Sequence, residues 1–431
     1  GLLAQAPDAA IRSLSAALSA DKGHDEGLTQ VHYLVQAEAA DRRARNFVFA
    51  PIAPLCAEAD ASAGPRFRAR TLALLWRALK AEARDEVAEA KLAIAERRPG
   101  DSSPDLIDSL CARAAKGLRD GQGVFAPAAQ AADDGAGRAA LASCLDIAPI
   151  VRRALDQMPE WLGRMTEEKA AKLRLSYRDA VAVTEDAGPR FFEMLAAHLA
   201  EPWLILRVIS GVMDRPSEAY MAASELASFG ERVMADIDRA LALVAAFRAG
   251  AGRAAARAAA EAVHRTTAEI VELEQSIQLT PDGAWGRRLA RQKIALAGAV
   301  EGQFKSIHDA VAQALPVQTV RLGARSARST PKLVGDPDAG SVEAAATLLT
   351  FVAEVRSSAA AGGFASSHAK ALETLGERLD SYVEEVLEEI RAADGVDPVK
   401  ARAFLEVAAK LCGLARDEKA AQVVRRRAKA A

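Results

Sequence analysis

Between Ala284 and Leu315 the large apolar residues Leu289, Leu296, Val300, Phe304, Ile307, Val311 and Leu315 follow one another at spacings of 7, 4, 4, 3, 4 and 4. Only a helix gathers such residues on one side, because its side chains return to the same face every three to four positions. Just upstream, Val263, Ile270 and Ile277 fall seven apart, with Leu273 at the matching offset. Thr280-Pro281-Asp282-Gly283 separates the two stretches and reads as a turn. Together they predict a long antiparallel helical hairpin over 249–316, with nearly coiled-coil spacing.

The rest of the chain fits the same class. Half of the 431 residues are apolar, yet aromatics make up only 5%, because alanine supplies much of the apolar content. Alanine loses no side-chain entropy in a helix and lets helices approach closely. A β-sandwich would need more Val, Ile, Thr and aromatic residues. The expected fold is all-α, a multi-helical bundle or irregular helical array containing the hairpin. No run of about 18 apolar residues occurs, so no membrane span is expected. The chain opens without the basic and apolar regions of a secretory leader, and the expected location is cytoplasmic. Gly1 leaves open whether a targeting segment was removed upstream.

Punctuation residues divide the chain. An N-terminal helical unit is expected over 1–126, with helices from Pro7 to Ala20, from about Asp25 to Asn46, from Arg66 to Arg97 and from Pro104 onward. In the second of these, Leu28, Val31, Leu34 and Val35 are expected to face inward. Gly121 to Gly135 reads as a loose segment. A central helical domain follows over 136–248, where Pro149, Pro159, Pro189, Pro202 and Pro216 read as helix starts and Pro202 to Ile209 as the central buried helix. After the hairpin, 317–340 reads as a linker rich in Ser, Pro and Gly. A C-terminal helical unit over 341–431 is expected to begin with Ser341 as an N-cap.

Chemical motifs are sparse. Cys56, Cys111, Cys144 and Cys412 form no CxxC pair and read as reduced, buried thiols. Gly-Ala-Gly-Arg-Ala-Ala occurs at 135–140 and again at 250–255, but neither copy follows a strand, so neither reads as a dinucleotide site. Histidine is scarce. His264, His308 and Asp309 are the set that a metal-dependent all-α hydrolase of His-Asp type would have to use. A di-metal bundle needs two Glu-x-x-His pairs, and Glu261 with His264 is a single one. No catalytic residue, metal site or cofactor is expected.

Charge is segregated although the formal net charge is only −2. From Arg248 to Lys332 there are 13 Lys and Arg against 7 Asp and Glu. Arg287, Arg288, Arg291 and Lys293 cluster at the hairpin tip, and Glu384, Glu385, Glu388 and Glu389 form an acidic stretch. These eight are the expected partner-binding residues. The expected function is a non-enzymatic helical adaptor, scaffold or regulator that binds another protein. The alternatives are the hydrolase and a nucleic-acid-binding protein using the basic tip and linker. Nucleic acid is the less favoured partner, because these stretches offer almost no aromatic residue but Trp285 for stacking on bases. Homo-oligomerisation is left open.

Overall fold

The computed structural model describes residues 3, 6–20, 26–56, 66–95, 104–134, 136–321, 327–392 and 397–431. The protein is all-α. Its helices are α1 (Asp8–Ala20), α2 (Glu26–Val48), α3 (Arg70–Glu82), α4 (Arg84–Ala95), α5 (Pro104–Asp120), α6 (Ala126–Asp133), α7 (Arg138–Leu162), α8 (Glu167–Val181) and α9 (Ala187–Ala197). There follow α10 (Ile205–Met213), α11 (Glu218–Ala223), α12 (Ala227–Ala246), α13 (Gly252–Ser276), α14 (Ala284–Ala314), α15 (Ala339–Glu354), α16 (Ala365–Ala392), α17 (Pro398–Ala415) and α18 (Glu418–Ala430). No helix among the described residues is long and apolar enough to cross a membrane.

The chain divides into two compact units. One holds Gly1–Pro216 and Ala222–Phe229, the other Ser217–Met221 and Gly230–Ala431.

In the first unit α7 is the central element and packs on α5, α8 and α9. Both Pro149 and Pro159 lie inside it rather than at helix starts. Each proline removes one backbone hydrogen bond, at a cost of roughly 3 kcal/mol. The helix buries Leu141, Leu145, Ile147, Val151, Met158 and Trp161, and that packing overrides the local preference. The expected helix 66–97 is broken at Ala83, whose backbone (φ −123°, ψ 55°) leaves the helical region. The stretch read as loose holds α6, whose Ala128, Ala129, Ala131 and Ala132 are buried; Gly135 lies outside the described residues. Trp203 to Ile209 is buried at Trp203, Ile205, Leu206, Val208 and Ile209, as expected of a core segment. Beside it, Tyr177 stacks on Phe192 at 5.1 Å and Phe191 meets Phe192 edge-on.

In the second unit α13 and α14 form the two arms of the hairpin, but the arms touch each other little. Helix α15 packs against both. It is apolar on all sides, with Val342, Ala345, Ala346, Leu348, Leu349, Phe351 and Val352 buried, which suits a helix enclosed by neighbours. Its N-cap is Asp338, whose carboxylate accepts from the Ser341 amide at 2.7 Å; Ser341 was expected in that role. The expected linker contains a hairpin, with β1 (Val317–Arg321) antiparallel to β2 (Ala327–Pro331) and Thr319 opposite Ser329.

The two Gly-Ala-Gly-Arg strings start long helices. Gly137 (φ 96°) precedes α7, and Gly252 (φ 82°) begins α13. That backbone region is nearly closed to other residues, which explains the repeat without a ligand.

All four cysteines are buried and free. Burial pushes the Cys56 and Cys111 thiols up to about 12 and Cys412 up to about 11, and raises Cys144 as well. Since the thiolate is the reactive form, native protein is expected to resist a thiol dye at mildly alkaline pH. Denatured protein should take up four equivalents. Fast native labelling of any one cysteine would contradict its packing here.

Candidate protein-docking surface

Helix α2 changes character along its length. Its second half is pinned to the first unit. Asp41 accepts from Lys80 Nζ at 2.7 Å and Lys91 Nζ at 3.2 Å, tying α2 to α3 and α4. Val35 and Val48 are fully buried, and Phe49 meets Trp76 edge-on. One heptad further toward the N-terminus the same faces are open. Leu34 is 51% exposed where Asp41 and Val48 are buried, and Leu28 is 42% exposed where Val35 and Arg42 are buried. Val31, between them, is 46% exposed. Leu28, Val31 and Leu34 therefore do not face inward as expected; only Val35 does. The apolar face extends past the part of the unit that covers it. Tyr33 on the other side of α2 is 73% exposed, and Leu14 on α1 is 40% exposed.

Helix α1 is held against α2 by polar contacts concentrated at one end. The Arg42 guanidinium donates to the Leu3 and Ala6 carbonyls, to Asp8 Oδ1 and to Glu38 Oε1, each at 2.7 Å. Asp8 also receives Arg45 at 2.7 Å and Asn46 at 3.0 Å. Burial works against the Asp8 carboxylate, but these donors and the Arg45 charge outweigh it and hold its pKa below the usual range. Farther along, Gln36 Nε2 of α2 reaches Ser19 Oγ at 2.8 Å and the Ser15 carbonyl at 3.4 Å on α1. A groove of about 380 Å³ runs between the helices, lined by Asp8, Ile11, Ser15 and Arg42 among others.

Two runs of this arm are depleted of charge. Residues 13–20 and 27–37 contain no Asp, Glu, Lys or Arg, in a chain where these make up 26%. A solvated helical pair normally alternates an apolar face with a charged one. Depletion of charge with retention of aromatic and aliphatic residues is the mark of a surface that becomes covered.

The residues singled out from the sequence lie elsewhere, and several are engaged within the second unit. Arg288 bridges Glu231 at 2.8 Å and Asp238 at 2.7 Å, and Lys293 pairs with Glu274 at 2.7 Å. Arg287 donates to the Asp282 carbonyl, whereas Arg291 is exposed and makes no ion pair. In the acidic stretch Glu384 pairs with Arg427, and Glu385 accepts from Ser381 at 2.9 Å. Glu388 is exposed and Glu389 half-exposed on the same helix, α16. Arg425 of the basic C-terminal run pairs with Glu406 and Glu418. Of the acidic stretch and the basic C-terminal run only Glu384 and Arg427 pair with each other among the described residues, and exposed pairs of this kind are worth little individually.

The hydrolase set is not assembled. His264 Nδ1 lies 2.5 Å from Ser358 Oγ, and the His308 carbonyl accepts from Arg378. No group of three His, Cys, Asp or Glu among the described residues is placed to hold a metal ion. No family model matches the chain, and no curated protein or solved structure is detectably similar to it.

Proposed function

We propose that the protein is a non-enzymatic helical adaptor or scaffold that binds another protein through the open apolar stripe on the arm formed by α1 and the first half of α2. The supporting observation is the open stripe Leu28, Val31 and Leu34, in which the positions of Leu28 and Leu34 are buried one heptad later, at Val35 and Asp41. Burying the exposed half of each such side chain is worth about 1 kcal/mol. The three together on one face of α2 have the character of an apolar anchor at a protein interface.

The test compares full-length wild type with a Val31→Asp/Leu34→Asp variant, both immobilised and exposed to lysate at low and high salt. Both positions are half-exposed, so helicity and melting temperature are expected to stay within error of wild type. A stoichiometric protein captured by wild type and lost by the variant supports the reading. Capture that survives the double variant, or retention only of nucleic acid that salt removes, sinks it.

A further inference from the structure

Helix α14 presents an outer face opposite its buried Val300. Along that face run Arg291, Ala295, Gly298, Gly302 and Asp309, all exposed, with Ile294 beside them at 73% exposure. Glycine in a helix interior is less stable than alanine, and this chain uses alanine freely elsewhere. A Cβ added at Gly298 or at Gly302 would meet nothing within 4 Å. Neither glycine, then, is required by a contact with a described side chain or backbone. Small residues spaced four apart on a helix let another backbone come close. The flank of the face is a groove of about 630 Å³ between Gly298, Gly302 and Ser306 on one side and Arg248 and Leu348 on the other.

The charges say what would lie there. Arg291 and Asp309 are exposed and make no ion pair with each other or with another described residue, although the Arg291 charge acts on Asp238. They stand nine residues to either side of Val300, the midpoint of the stretch between the glycines. A second α14 laid antiparallel across this point, related by a two-fold axis, sets Gly298 opposite Gly302 of its copy. The same operation sets Arg291 opposite Asp309 and Asp309 opposite Arg291. It also puts the exposed Ile294 over the small Ser306. A two-fold interface must be self-complementary, each patch meeting itself reversed. The pairs Gly298–Gly302, Arg291–Asp309 and Ile294–Ser306 meet that requirement, and the exposed Lys305 falls over the small Ala295.

We propose that the outer face of α14 is an antiparallel two-fold interface joining two copies of this chain. The surface is separate from the α1–α2 arm, so a dimer would present two arms.

The test is sedimentation and light scattering of the full chain across the micromolar range. Wild type is expected to reach twice the mass of one chain. Arg291→Asp, which sets like charges opposite each other twice, is expected to weaken the dimer by about tenfold or more. Asp309→Arg should do the same, and the combined Arg291→Asp/Asp309→Arg exchange should restore it. Gly302→Leu should block close approach. Gly302→Ala provides the control for folding: it should raise the thermal stability of the monomer while weakening association. A chain that stays monomeric at every concentration, whether or not another protein covers this face, overturns the proposal. So does a dimer indifferent to Arg291→Asp and Gly302→Leu.

Discussion

Replacing Glu218 with alanine is expected to lower the unfolding free energy of the second unit by about 3–5 kcal/mol. Its side chain is only 5% exposed, and its carboxylate gathers the backbone of the hairpin turn. Oε1 accepts from the Trp285 amide at 2.8 Å. Oε2 accepts from the Thr280 amide at 3.2 Å and the Gly286 amide at 3.3 Å. Two of these amides belong to the first turn of α14, where unpaired N–H groups and the helix dipole favour a negative charge. Glycines at 283 and 286 leave room for it: a Cβ at Gly283 would fall 2.1 Å from Oε2. The main chain joins in, with the Glu218 amide donating to the Gln278 carbonyl at 3.0 Å and Ser217 bridging Gln278. Alanine strands those donors beside the buried Trp285. Glutamine keeps one acceptor but turns an amide toward donors, so Glu218→Gln should fall between the two. Chemical denaturation followed by circular dichroism reads the effect. A loss under about 1 kcal/mol for Glu218→Ala would mean that water satisfies these amides and that the clamp is dispensable.

Why this clamp was not legible beforehand is instructive. Glu218 is one of 58 acidic residues, and its partners lie more than sixty positions away. Nothing local marks it, and Thr280-Pro281-Asp282-Gly283 already explained the turn. What could be read were the patterns carried by a single element. The α14 stripe, with Leu289, Leu296, Val300, Phe304, Ile307 and Val311 all buried, is such a pattern. So are the apolar core of α10 and the burial of the cysteines. Periodicity shows that a face is apolar but not that anything covers it. Leu28, Val31 and Leu34 have the spacing of a buried face, and only the end of the supporting helices leaves them open. Charge blocks pose the opposite problem. Arg288 and Glu384 look like docking residues in the sequence, but Glu231, Asp238 and Arg427 engage them in the fold. The β-hairpin went unseen because Pro316 and Pro331 bound two short strands that a linker reading also fits, although Val317, Thr319 and Val320 are β-branched. The two internal prolines of α7 had no local signal to outweigh their usual meaning.

Glu269 offers the second large effect, with the opposite sign. It lies on α13 with no exposed surface. One carboxylate oxygen accepts from Arg265 Nε at 2.9 Å, and the other has no hydrogen-bond partner; the buried Thr266 hydroxyl, on the same helix, has none either. Burial raises the pKa of Glu269, and the Arg265 hydrogen bond and charge, with Arg239 farther off, only partly oppose it. A carboxyl whose folded pKa lies above its unfolded value of about 4.3 contributes fully to stability below that value. The contribution is lost as pH rises through the folded pKa. Near neutral pH the fold therefore holds this acid at a cost. Glu269→Gln removes the titration and is expected to be more stable than wild type at neutral pH by about 1–2 kcal/mol, with the difference vanishing below about pH 4. Glu269→Leu should gain at least as much, because Arg265 is half-exposed and keeps Asp236 at 3.4 Å, so its charge is not stranded. Melting temperatures of the three proteins from pH 4 to pH 8 decide the matter. A neutral-pH loss for Glu269→Gln would show that the carboxylate is ionised in place and that its pairing with Arg265 holds this part of α13. A gain would show a buried acid maintained against the stability of the fold. The contact of α13 with α12, where Arg265 also meets Asp236, would then be the place to look for a constraint other than packing.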